Sequence, residues 1–175
     1  MSFMENAVII RKPPFFSHIR TNDWKPAFHW EKSLTDVAYA MNQPHEELVK
    51  RELGISLAVK LLSMSYKKGQ HITSDMIREA HKIVFPDHGE DAGQWRKVNV
   101  KVADHIPPNF EYMDKMMVEL EESYRNVDMS VYNLEHWYYD LKTIHPYRDG
   151  NGRVGGIIMA VVSHSTYGSY RVPGQ

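Results

Sequence analysis

A chain of 175 residues, 42% of them hydrophobic, is long enough to bury one core without covalent staples. It has no cysteine, which excludes disulfides, thiolate metal sites and a cysteine nucleophile and suits a reducing compartment. A formal net charge of −1 gives no general attraction to nucleic acid or to an anionic membrane, and the longest apolar run, from Val154 to Val162, is too short to span a bilayer. Glu5, Arg11 and Lys12 bracket only a short apolar segment, unlike a signal peptide, so cytoplasmic residence where the protein is made is expected.

Residues 1–32 are aromatic and proline-containing without sustained periodicity and read as an arm laid over a domain that occupies 33–175. Ser33 caps a first short helix. Pro44 begins a longer one whose apolar face is Leu48, Ile55, Ala58, Leu61, Leu62 and Met64, closed by Lys67, Lys68 and Gly69. Thr73 is the N-cap of the next helix, with Asp75 in the first turn, Ile72 stapled to Ile77, and Pro86 as the stop. Val98, Val100 and Val102 alternate with Asn99 and Lys101, the period of a strand. Met113, Met116, Met117, Leu120 and Tyr124 form a helical stripe with Glu121 and Glu122 facing out, and Leu134, Trp137, Tyr138, Leu141 and Ile144 form another.

The second of those helices leads into HPYRDGNGR at 145–153. Pro146 stops it at His145, and the apolar run after Arg153 starts a further, largely buried helix. The segment between them is an anion cup. The N–H groups of Gly150, Asn151, Gly152 and Arg153 sit at a helix start, the helix dipole adds positive charge, and the glycines admit a ligand to the backbone. Two other readings fail on context. Gly150, Gly152 and Gly155 spell the dinucleotide fingerprint, yet the preceding segment is helical and no acidic residue follows Asp149. A calcium loop opened by Asp149 would need glycine at Val154 and glutamate at Ala160.

What remains is a resemblance to the Fic family, whose motif is HxFx(D/E)GNGRxxR, with Tyr147 in the phenylalanine place. Residues 77–145 resemble a Fic core in order: a helix, the segment AGQWRKVNV, the pair Pro107-Pro108, and two helices. The resemblance implies a mainly α fold, a Fic-like helical bundle with one small β-hairpin flap. In that flap Lys97, Val98, Asn99, Val100, Lys101 and Val102 hold the backbone of a target. It also implies a protein adenylyltransferase that moves AMP from ATP to an accessible Ser, Thr or Tyr of a target protein. The alternatives are Doc-like transfer of the terminal phosphate, and a nucleotide-binding or docking module with decayed transfer activity.

Two departures from the pattern bear on mechanism. The family's second arginine is replaced by Gly156, which implies a weakened grip on the outer end of the triphosphate. The family's inhibitory segment, (S/T)xxxE(G/N), has no match, since no serine or threonine is followed four residues on by glutamate. Inhibition would then fall to a separate small antitoxin.

The residue types assign the chemistry. Imidazole has the pKa of a base for a hydroxyl, which makes His145 the catalytic base. Asp149 is the candidate metal ligand, for Mg2+ bridging phosphate oxygens. Arg153 forks onto the β-phosphate, while Asn151, catalytic as well as nucleotide-binding, joins Gly150 and Gly152 in stabilising charge on the transferred phosphate. Tyr147 is read as an apolar anchor and Trp95 as the pin of the flap. The methionine stripe is read as core, and the other histidines lack metal-ligand spacing.

Overall fold

Thr73 shows how local chemistry sets the helix boundaries. Its hydroxyl accepts a hydrogen bond from the Met76 N–H at 3.2 Å and starts a helix at Ser74. The structure, a computed structural model, describes residues 45–168, with side chains from Val49 onward. The expected arm at 1–32, the boundary at residue 33, the Ser33 cap and the Leu48 side chain lie outside that range.

Five α-helices make up the described body: α1 (His45–Ser65), α2 (Ser74–Val84), α3 (Met113–Tyr124), α4 (Val131–Ile144) and α5 (Asn151–Tyr167). Helix α5 is the central one. It packs against α1, α2 and α4, and every residue from Val154 to Ser163 is buried. A helix covered on most sides needs a continuous apolar run rather than a stripe, which is what that segment supplies. Helix α3 closes the bundle against α4, with Met113, Met116, Met117, Leu120 and Tyr124 all buried, so the methionines are core.

On α1 the buried stripe is Ile55, Ala58 and Leu62, whereas Leu61 and Met64, expected on the same face, are 44% and 77% exposed. At about 100° per residue, Leu61 lies roughly 90° and Met64 roughly 150° from the centre of that stripe. Glu121 is also not simply outward. Its carboxylate accepts the Ser74 N–H at 2.6 Å, so the α2 N-terminus has both Thr73 and an α3 carboxylate as acceptors.

The expected hairpin flap is not formed. Residues 97–102 run in an open, bent course, and among the described residues the one antiparallel bridge is Val102 with His105, around a turn in which Ala103 has φ of 53°. Beyond that bridge the two arms do not pair as a ladder, and the segment is anchored by isolated contacts. The Arg96 N–H donates to the Pro146 carbonyl at 2.8 Å, and the Asn99 side chain accepts from the Phe110 N–H at 2.9 Å. Lys97, Val98, Asn99, Lys101 and Val102 are all exposed, so the valine alternation does not mark a buried face.

The two glycines inside α5 differ in their surroundings. A Cβ on Gly155 would come within 2.7 Å of the Tyr138 ring, so this glycine lets α4 and α5 approach, while a Cβ on Gly156 meets no described atom within 4 Å. Helix propensity alone favours alanine at both by up to ~1 kcal/mol. Gly156→Ala should therefore raise the unfolding free energy by up to ~1 kcal/mol, whereas Gly155→Ala should lower it by about 1–3 kcal/mol through overpacking. Chemical denaturation of the two variants checks this, and equal effects would contradict the packing argument.

Candidate active site

His145 caps α4 in the left-handed conformation, with φ of 54° and ψ of 61°, and its N–H still reaches the Leu141 carbonyl at 2.9 Å. A non-glycine residue there costs about 1–3 kcal/mol and needs support. Arg96 supplies it. This buried guanidinium donates to the His145 carbonyl at 2.7 Å and to that of Val98 at 2.8 Å, with further bonds to the carbonyls of Pro108 and Ile144. One side chain thus ties the turn after α4 to the flap segment and to the proline pair.

The chain then folds over Asn151. Its side-chain carbonyl accepts the Tyr147 N–H and its amide donates to the Tyr147 carbonyl, both at 2.8 Å, in a site only 3% exposed. These two bonds make Asn151 the clamp that closes the loop. Tyr147 is 1% exposed and stacks on His81 at 3.9 Å with Trp95 tilted at 5.2 Å, so it seats the loop as an apolar anchor and Trp95 pins the flap segment to the core. Among the described residues the Tyr147 hydroxyl has no hydrogen-bond partner.

Gly150 caps α5 with φ of 91°, and a Cβ there would lie 2.3 Å from the Phe85 ring, so both conformation and space require glycine. Among the described residues no acceptor takes the N–H groups of Gly150, Asn151, Gly152 or Arg153. They are open donors on the first turn of α5, a general arrangement that favours anions. Arg153 stands over the Phe85 ring at 4.9 Å and reaches Asp149 at 3.2 Å, while the Asp149 side chain is 60% exposed. The structure therefore brings His145, Asp149, Gly150, Asn151, Gly152 and Arg153 into one loop and helix start. Lys97 to Val102 run beside it, coupled through Arg96.

Against this geometry the comparisons are specific. A profile of the Fic/DOC family matches residues 71–163. The chain belongs to the Fic/DOC family. It is 33% identical over 163 residues to the protein adenylyltransferase Fic of Nematostella vectensis, covering 86% of this chain and 38% of that protein. A protein of the same name from Drosophila erecta is 31% identical over 113 residues, covering 61% of this chain and 23% of its own length. The chain thus spans well under half the length of these relatives. The fold is similar to that of a Fic family protein from Desulfovibrio desulfuricans G20, with a TM-score of 0.59 and 16% identity over 91% of this chain and 48% of that one. A Fic domain containing signaling protein from Bacteroides thetaiotaomicron VPI-5482 gives 0.55 and 16% over 93% and 71%.

Within this Fic/DOC site, sequence reasoning missed the roles of Arg96, His81 and Phe85. His81 accepts the Gly93 N–H on Nδ1 at 2.9 Å, so Nε2 carries the proton and donates to the Asp149 carbonyl at 3.2 Å. The available signal was a histidine on the buried stripe of α2, where a neutral ring needs two partners. Burial lowers its pKa to about 4, against the pull of the Asp149 carbonyl. His145 is also lowered to about 4, first by burial and then by Arg96, His105 and Lys142, with Asp149 opposing.

Both rings are neutral in the folded and unfolded chain above pH 6.5. Between about 6.5 and 4 the unfolded chain takes up protons that the folded one refuses, so stability falls as pH falls. The fully buried His81 should account for about 3 kcal/mol of this loss. Urea midpoints should drop between pH 7 and 4.5, and less so in His81→Gln, whose side chain does not titrate. A flat wild-type profile across that range would refute the assignment.

Proposed function

We propose that this chain transfers AMP from ATP to a hydroxyl of a target protein. The observation that carries the reading is His145 held, by Arg96 and the left-handed turn, beside a cup of unpaired N–H groups on the first turn of α5. The family and the adenylyltransferase names of the relatives support it. The triphosphate sits on the cup, with Gly150, Gly152 and Arg153 binding phosphate. A target oxygen attacks the α-phosphorus, the bond to the β-phosphate oxygen breaks, pyrophosphate leaves, and His145 takes the hydroxyl proton. Asn151, buried with its side-chain amide already donated to Tyr147, contributes by holding Tyr147, and through it the loop, in place, and the charge stabilisation expected of its amide falls to the N–H groups at the start of α5.

His145 enters the reaction as a neutral base. Its free pKa is too low for strong basicity, and negative charge from bound nucleotide raises it toward the working pH. For Mg2+, the described residues include no group of three or more His, Asp or Glu side chains that would hold a metal unaided. A single exposed carboxylate, Asp149, fits an ion whose other ligands are phosphate and water. Such an ion would neutralise phosphate charge.

The target is proposed to add as a strand along Lys97 to Val102, because no described partner uses the main-chain groups of Lys97, Asn99, Val100 or Lys101. Among the described residues no helix is long and apolar enough to cross a membrane. Gly156 is the one feature that favours the second reading, transfer of the terminal phosphate.

The test is transfer from ATP labelled at the α or γ position into lysate proteins. Entry of the α label supports AMP transfer, entry of the γ label alone supports phosphate transfer, and neither with intact ATP binding leaves a docking module. His145→Ala should reduce transfer by about 10²–10⁴-fold while ATP still binds. Equal activity in that variant would remove His145 from the mechanism.

Val100→Pro tests strand addition. Proline removes an N–H from the open edge, so modification of a protein target should drop at least tenfold while ATP affinity stays within about twofold. Matched losses in both assays would count against docking on this segment.

A further inference from the structure

Phe85, at the end of α2, carries a guanidinium from each of two helices. Arg153 of the motif has its Cζ 4.9 Å from the ring centroid, and Arg51, far away in sequence on α1, has its Cζ 4.5 Å from the same centroid. The two cations are therefore within about 9.4 Å of each other by the triangle rule, and the Arg51 charge acts on Arg153. The edge of this ring lies against Gly150, since a Cβ there would meet Phe85 Cε2 at 2.3 Å. Arg51 thus stands one aromatic ring away from the anion cup.

Its present contacts are unequal. Nη1 donates to the Val84 carbonyl at 2.7 Å, which fixes the guanidinium against the end of α2. Nη1 and Nη2 also fork onto the two carboxylate oxygens of Asp87. The Arg51 side chain is only 11% exposed, while Asp87 is 38% exposed on a short 3-10 turn kinked at Gly89. Asp87 can rotate into water and stay hydrated, whereas Arg51 stays where it is. An arriving polyphosphate presents more negative charge and the same planar fork of oxygens, and guanidinium binds either bidentately.

We propose that Arg51 is a nucleotide-contacting residue, exchanging part of its pairing with Asp87 for an oxygen of the outer phosphates when ATP occupies the cup. It would supply the second cation that Gly156 does not, and Asp87 would act as an internal competitor that sets how tightly the triphosphate is held. This rests on the nucleotide-transfer reading of the site.

The experiment is calorimetric titration of wild type, Asp87→Asn and Arg51→Gln with ATP, ADP and AMP, with a melting temperature for each variant. Wild type should prefer ATP over ADP by at least about fivefold. Asp87→Asn should tighten ATP about three- to tenfold and leave AMP unchanged, even though an ion pair is lost. Arg51→Gln should bring the ATP and ADP affinities together, again with AMP unchanged. A purely structural ion pair predicts instead that Asp87→Asn lowers stability and leaves the ATP:ADP ratio alone, and that result overturns the proposal. Should Arg51→Gln fail to fold, the direction of the Asp87→Asn effect decides. Normal ATP binding with no response in either variant removes Arg51 only, whereas absence of binding by wild type to all three nucleotides removes the nucleotide-transfer reading as well.

Discussion

The Arg96 guanidinium is the interaction on which the site depends. Its planar donors collect carbonyls of His145, Ile144, Val98 and Pro108, which belong to three separate stretches of chain. None of these carbonyls ends in a regular ladder, and buried carbonyls without partners cost about 1–3 kcal/mol each. The same charge-assisted bonds to backbone oxygen offset both the cost of burying the arginine and the cost of burying an irregular turn. A lysine would not serve, because its single ammonium cannot reach carbonyls arranged in a plane around it. The left-handed His145 is thereby held by a contact from outside the motif, and the flap segment is placed by the same side chain.

Arg96 also has an electrostatic role. Together with His105 and Lys142 it lies in the field that depresses the His145 pKa, after burial itself. An imidazole held by a cationic clamp stays unprotonated and can accept a proton. The loop contains a single carboxylate, Asp149, whose side chain is largely exposed and so opposes the shift only weakly. The same positive field that keeps the ring neutral would attract an anion, and in the proposed reaction that anion's charge would raise the basicity of His145. Structure and charge are thus coupled through one residue.

Helix content and the central buried helix were legible because α5 is apolar all round and α2, α3 and α4 carry clean stripes, with Thr73 as the cap of α2. The glycine start of α5 after the His145 turn was legible because a glycine cap and a buried helix are local properties. The flap was misread because valine alternation reports only a tendency to extend, while the partner of an extended segment is set by distant groups, here Pro146 and Phe110. Arg96, Arg51 and His81 were not legible for the same reason. A charged or polar residue inside an apolar pattern signals a buried partner, and its identity is a tertiary fact. On α1 the error was one of angle, as Leu61 and Met64 share hydrophobicity with the core stripe but not its direction.

The motif itself divides into residues that present groups to the outside and residues that hold them there. Gly150 is fixed by the Phe85 ring, Gly152 accepts from the Tyr138 hydroxyl at 3.4 Å, and Asn151 spends its amide on Tyr147. Tyr147 in turn stacks on His81, whose Nε2 returns to the Asp149 carbonyl. The cup is therefore closed by a ring of contacts that leaves α5, crosses Tyr147 and α2, and returns to the residue before Gly150. Because that ring includes a neutral histidine whose two nitrogens are both bonded, protonating His81 would leave the Gly93 N–H facing a second donor and break the circuit at the point that positions Asp149. Acid would then loosen the start of α5 as well as charge His145.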